Sequence, residues 1–236
     1  MKKILLTSVI ASSVVFGASN EQIIGFYSQM LPPSVNVKVD ERVKLENSNI
    51  EGVVITMSDG KNSESDIVFT SGDFIFPDVL DLKNNKSHKA EFGEKMLTKK
   101  LSAVYKNEDA KNIIAIGNDP KKPTKVMFSD PECPYCRAEL KNIEKTLKDE
   151  NLKIILTPVH DISALQKSFL IYKDVANAKT DSDKVKILRK YFDESYNVPS
   201  GSVTDAQVAQ MNELRQKYFA AGVRSVPKYV DEAGLK

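Results

Sequence analysis

Apolar and polar positions mix with a strand-like period along the first third of the chain. Val35–Leu45 and Ile50–Met57 read as strands, and Asp59-Gly60 marks a tight turn before a third, Asp66–Thr70. Ser71-Gly72-Asp73 turns the chain again into FIFPDVLDL, and the unit closes near Leu82. A short helix over EQIIGFYSQM precedes these strands. A sheet-rich unit of roughly 60 residues is thin for an independent fold, and such units bury a strand edge or apolar face against a partner. The pattern therefore points to dimerisation through this unit; packing on its own neighbour is the alternative.

Beyond Leu82 the period changes to that of a helix. Phe92, Met96, Leu97, Leu101 and Val104 recur at helical spacing within a highly charged stretch, which predicts a linker helix from about Lys89 to Asn107. Ile113–Ile116 and Lys125–Phe128 are short apolar runs, the second a buried strand that delivers the chain to SDPECPYC. Cys136, Leu140, Ile143 and Leu147 then fall on one face of a single continuous helix, with Arg137, Glu139, Lys141, Glu144 and Lys148 on the others. After a further strand, Leu152–Val159, come about sixty mostly helical residues. Their apolar faces are Leu165, Phe169, Tyr172 and Ala176, then Val185, Leu188 and Phe192. Thr204 and Gln207 form a capping-box pattern for a last helix that ends at Ala221, with Gly222 as its stop.

The start of the chain bears on compartment. Lys2 and Lys3 precede an uncharged apolar run, Ile4–Ala18, too short and poorly flanked to span a bilayer. The pattern is that of a secretory signal peptide over residues 1–18, with a retained anchor as the alternative. Without these residues the chain carries 32 basic and 32 acidic side chains, which removes the electrostatic case for nucleic acid.

The whole chain has two cysteines, spaced C-x-x-C as Cys133 and Cys136. Too few to make a disulfide scaffold of a secreted protein this size, they are free to do chemistry. Pro134 suits the first helical position, which places Cys133 at the N-cap, at the exposed positive end of the helix, and Cys136 in the buried stripe. Unpaired N–H groups at a helix start favour an anion, and the thiolate is the form that attacks a disulfide. Cys133 then reads as the attacking sulfur and Cys136, one turn on, as the shielded one that resolves. Tyr135 between them brings no positive charge.

Two other uses fit less well. A structural zinc site needs four ligands, and the chain offers only these cysteines plus His88 and His160, at no finger-like spacing. A permanent crosslink would close a loop too short to stabilise much. His160, at a strand-to-helix junction, reads as a loop or capping residue. Val226-Pro227, before a final strand, reads on its own only as a turn.

Taken together, FSDPECPYC at Phe128–Cys136, the helical insertion between strands and GVRSVP at Gly222–Pro227 resemble the thioredoxin superfamily, and more closely the periplasmic DsbC/DsbG family of thiol:disulfide interchange proteins. The N-terminal half is similar to that family in its tandem turns and its F-x-x-D-x-L-D-L ending. The resemblance implies a mixed α+β and α/β architecture. A small cystatin-like, β-rich dimerisation domain over 19–85 and a linker helix over 86–110 would precede a thioredoxin-fold catalytic domain over 111–236, with a helical insertion at about 160–221.

It further implies a homodimer joined through the N-terminal domains. Cys133 and Cys136 would form a redox-active disulfide, and Pro134, Tyr135, Val226 and a cis Pro227 would meet an extended substrate. No cofactor or metal is implied. The partners would be unfolded or misoxidised secreted proteins and a membrane thiol–disulfide protein, a DsbD-like reductant for an isomerase or a DsbB-like oxidant for an oxidase. A dimeric DsbA-like oxidase and a holdase chaperone with secondary thiol activity are the alternatives to an isomerase or reductase.

Three features depart from the family. Val226 stands where Thr is usual, the chain ends at Lys236 where members commonly continue into a helix, and Lys125–Phe128 lacks the buried acid of thioredoxins. Deprotonation of Cys136 must therefore rely on another group.

Overall fold

A computed structural model describes residues 17–236, so most of the expected leader lies outside the described residues. The chain divides into two compact units, residues 17–94 and 95–236. The first is built on an antiparallel sheet, order β1-β2-β3-β4, from Asn36–Lys44, Glu51–Ser58, Ser63–Ser71 and Phe74–Phe76. The run of Val53, Val54 and Ile55 is buried on both sides because β2 is a central strand. Val53 pairs with Val68 across the ladder, and with Ile55 these residues pack against Ile23 of helix α1, Asn20–Met30. On the other side Phe69 meets the rings of His88 and Phe92, at 6.4 and 6.3 Å between centroids. Ser19 and Gln22 cap α1 reciprocally, and Ala18 is buried with its N–H donated to Thr70 Oγ1 at 2.8 Å.

The Asp59-Gly60 turn forms as its residue types require. Asp59 accepts the N–H groups of Lys61 and Asn62, and Gly60 takes a positive φ of 86°. A two-stranded ladder follows, β5 at Leu80–Asp81 and β6 at Lys86–Ser87, and helix α2 runs from His88 to Tyr105 across the division between units.

The second unit holds a mixed sheet, order β10-β8-β9-β7, from β7 Ile114–Ile116, β8 Thr124–Ser129, β9 Asn151–Leu156 and β10 Lys228–Asp231. Only β8 and β9 are parallel. Val126, Met127 and Phe128 of β8 are fully buried, as the apolar run requires of a central strand. Phe128 stacks on Tyr218 of helix α7, Asp205–Ala220, at 4.9 Å between ring centroids. Helices α5, Ile162–Val175, and α6, Asp181–Phe192, complete the insertion. Thr204 and Gln207 form the expected capping box, and Gly222, at φ 109°, follows the end of α7.

One helix prediction fails in its continuity. The stripe from Cys136 to Leu147 lies on two helices, α3 Pro134–Lys141 and α4 Ile143–Asp149, which meet at Asn142. Arg189 of α6 caps the interruption, donating Nε and Nη2 to the Leu140 carbonyl at 3.2 and 2.9 Å. The apolar stripe survives because Cys136, Leu140 and Ile143 are all buried on the sheet side.

Candidate active site

Strand β8 ends at Ser129, and SDPE carries the chain into α3. Cys133 is the N-cap, with φ −75° and ψ 122°, and Pro134 occupies the first turn. The Cys133 N–H donates to the Asp130 carbonyl at 3.2 Å, and the Cys133 carbonyl accepts from Arg137 N at 3.0 Å. Both cysteines are free thiols. Cys133 is not the exposed residue expected at a helix start: only 5% of it is accessible. The reason lies 93 residues away, where the Val226 carbonyl accepts its Sγ–H at 3.6 Å. Val226-Pro227 is a cis peptide bond. Pro134 and Tyr135 are the exposed members of the motif, Tyr135 at 75%.

Cys136 is fully buried. Burial pushes its thiol up to about 12, and the neighbouring Cys133 sulfur adds to this; the Ser129 hydroxyl and the Asp130 backbone N–H beside it favour the thiolate. The Ser129 hydroxyl nonetheless makes no hydrogen bond of good geometry, and the same holds for Thr157 at the end of β9.

Residues that the sequence did not single out organise the approach to the motif. Asp130 is fully buried, so an acid does lie beneath the site, in the loop after the strand rather than within it. Its carboxylate accepts from Glu132 N at 2.7 Å, Val159 N at 2.8 Å and His160 N at 3.0 Å. His160 Nδ1 lies 2.6 Å from the same Oδ2. His160 is thus a loop residue, as expected, but it closes a tie to the cysteine loop that sequence spacing gave no sign of. Glu132, directly before Cys133, pairs with the buried Lys167 of α5 at 3.2 Å and accepts from Ser163 Oγ at 3.0 Å. Two carboxylates therefore bind the cysteine loop to the segment from Val159 to Lys167.

Tyr229 of β10 donates to Glu139 of α3 at 2.8 Å, closing the other flank. His88 takes no part; it belongs to the first unit, with Nδ1 4.0 Å from Glu91. No cluster of metal-binding side chains occurs among the described residues. No helix among them is long and apolar enough to cross a membrane.

Neither a protein-family model nor a curated sequence relative matches the chain. Among solved structures it is similar to Helicobacter pylori DsbG, at 20% identity and a TM-score of 0.53, over 89% of this chain and 99% of that one. A thiol-disulfide exchange protein of Wolbachia pipientis, α-DsbA2, is 13% identical over 59% of this chain and 86% of its own, with a TM-score of 0.42. A disulfide interchange protein from Neisseria gonorrhoeae is 21% identical over 52% and 81%, at 0.37. The expected fold class holds: the fold is DsbG-like, a thioredoxin fold with a helical insertion joined to a smaller β-rich unit.

Proposed function

We propose that the chain is a thiol:disulfide oxidoreductase of the periplasm that acts as isomerase or reductase on misoxidised secreted proteins. The observation that carries this reading is the unequal setting of two sulfurs at the start of one helix. Cys133 caps α3 beneath the Val226 carbonyl and beside exposed Pro134 and Tyr135, while Cys136 lies fully buried behind it. In this reading the Cys133 thiolate attacks a substrate disulfide, forms a mixed disulfide and releases the other substrate sulfur as a thiolate. That sulfur or another substrate thiolate then attacks back and reshuffles the pairing. Alternatively, Cys136 attacks Cys133, which frees the substrate reduced and leaves the enzyme oxidised. Strand β10, at the sheet edge directly after Pro227, has one side free to pair with an extended substrate.

The apolar run after Lys2 and Lys3 supports export. A homodimer through residues 19–85 is supported by apolar side chains that this unit leaves in solvent, Phe74 at 70% and Leu82 at 90%. An isomerase of this kind needs a membrane thiol donor to keep it reduced. The second reading, a dimeric oxidase, draws on Val226, whose side chain offers Cys133 no hydroxyl.

Alkylation trapping in living cells separates the two: a mostly reduced Cys133–Cys136 pair is expected, and a mostly oxidised one moves the assignment to oxidase. In vitro, Cys133→Ala is expected to abolish recovery of a scrambled-disulfide protein. Suppression of aggregation that persists in that variant, with wild-type protein unable to exchange, would leave only a holdase.

A further inference from the structure

Ser129 is the last residue of β8, wholly inaccessible, and its hydroxyl has no hydrogen-bond partner. A buried hydroxyl without a partner is destabilising, by about 1–3 kcal/mol, and native proteins rarely keep one without a use. This hydroxyl borders the sulfur of Cys136, as does the N–H of the next residue, Asp130. Neither group gains much from a neutral thiol, which is a weak acceptor. Both would gain from a thiolate, since hydrogen bonds to a charged acceptor are roughly twice as strong.

We propose that Ser129 is a positioning residue for the resolving step, its hydroxyl held unpartnered in the core so that it donates to the Cys136 sulfur when that sulfur becomes anionic. This rests on the reading of the pair as an exchange centre and supplies the group that stands in for the absent acid of β8. In resolution, Cys136 gives its proton to water, and its thiolate attacks the Cys133 sulfur of the mixed disulfide. The Cys133–Cys136 bond forms as the bond to the substrate sulfur breaks. The dithiol is oxidised, the substrate disulfide has taken up both electrons, and the departing thiolate collects a proton. In the reverse direction the same hydroxyl receives Cys136 as the leaving thiolate.

The other titratable groups around Cys136 are already engaged. Cys133 faces it along α3, Tyr229 of β10 donates to Glu139, and the Asp130 carboxylate is turned to Val159 and His160. Ser129 is therefore the side chain left to answer the new charge.

A single turnover of the reduced full-length protein with one equivalent of 5,5′-dithiobis(2-nitrobenzoate) reads the two steps apart. Attack by Cys133 releases the first thionitrobenzoate, and attack by Cys136 releases the second. Ser129→Ala is expected to leave the first release unchanged and to raise the pH midpoint of the second by about one unit. At neutral pH the second release slows about threefold to tenfold, because a rarer thiolate is also a better nucleophile. Ser129→Thr, which keeps the hydroxyl, is expected to keep the wild-type midpoint. Thr157→Val removes the other unpartnered hydroxyl as a control, with no shift expected.

An unchanged midpoint in Ser129→Ala, or an equal shift in Thr157→Val, would overturn the assignment while leaving the exchange reading intact. A wild-type protein that never releases the second equivalent would sink the exchange reading itself, and this inference with it.

Discussion

The two units dispose of apolar surface in opposite ways. In the first, the central cluster is small, Ala18, Ile23, Val53, Ile55 and Val68, and large apolar side chains remain outside it. Phe26, Met30, Phe74, Leu80 and Leu82 are all exposed. In the second, one extensive core runs from Leu101 to Leu235 through both sides of the sheet. Its exposed large apolar residues are few: Tyr135 in the cysteine motif, and Val159 and Ile162 on the segment tied to that motif by Asp130 and Glu132. Scattered surface apolar residues mean little, but clustered ones mark contacts. The first unit thus has a surface suited to a second copy of itself, and the second has one suited to a substrate at its reactive sulfur.

The most drastic way to break this comparison is to charge the surplus surface of the first unit. Phe74→Asp with Leu82→Asp is expected to turn a dimer into a monomer, weakening association by well over about a hundredfold, since each buried anchor of this kind is worth about 2 kcal/mol or more. Sedimentation velocity across a dilution series measures it. Exchange with a small disulfide such as oxidised glutathione should not change, because the cysteine pair lies in the other unit. An unaltered dimer would place the interface elsewhere, and a monomeric parent would remove it.

The second unit's self-sufficiency has its own weak point, at Glu232. This carboxylate is 7% exposed and takes contacts from Lys153 at 2.5 Å, Tyr105 at 2.7 Å and Lys236 at 2.9 Å. Burial works to raise its pKa, but hydrogen bonds from Lys153, Lys236 and Tyr105 outweigh it and hold the group at about 2, below its ordinary 4.5. A carboxylate depressed on folding contributes stability that is fully present above pH 4.5 and is lost as pH falls toward 2. Urea unfolding at pH 6 and pH 2.5, followed at Tyr fluorescence, should show a steep acid loss in the wild type. Glu232→Gln should be less stable at pH 6 and lose less between the two. Equal pH slopes would show that the ion cluster contributes nothing to the acid response.

What could be read in advance from the sequence follows the reach of each interaction. The turn at Asp59-Gly60 and the capping box at Thr204 and Gln207 are made within three residues, so spacing alone reveals them. The helical phase that separates Cys133 from Cys136 is equally local. The features missed are closed across the fold. Cys133 is shielded by a carbonyl from Val226, the break at Asn142 is capped by Arg189 from another helix, and Asp130 finds its partner 30 residues on, at His160. The search for a buried acid stopped at the strand because the motif's loop gave no local sign that Asp130 points inward. Ser129 was invisible for a related reason: a missing partner is a property of three dimensions.

The smallest expected effect sharpens the comparison most, because it asks whether exposed apolar residues of the second unit serve substrates rather than stability. Ile162 is 62% exposed at the start of α5, next to Ser163, which donates to Glu132 beside Cys133. Removing an apolar side chain that is already in solvent should alter folding by no more than about 0.5 kcal/mol. If an unfolded chain lays its own apolar residues against Ile162 while its disulfide meets Cys133, Ile162→Ser forfeits part of that burial. The loss is about 1 kcal/mol, or roughly a fivefold rise in KM for a scrambled protein substrate. With glutathione disulfide, too small to reach from Cys133 along α5, kinetics should match the wild type. Equal changes for both substrates would mean that the variant disturbs the Glu132 contact and hence the cysteine loop. No change for either would leave Ile162 as a lone surface residue, and the apolar surface near the sulfur would shrink to Tyr135 and Val159.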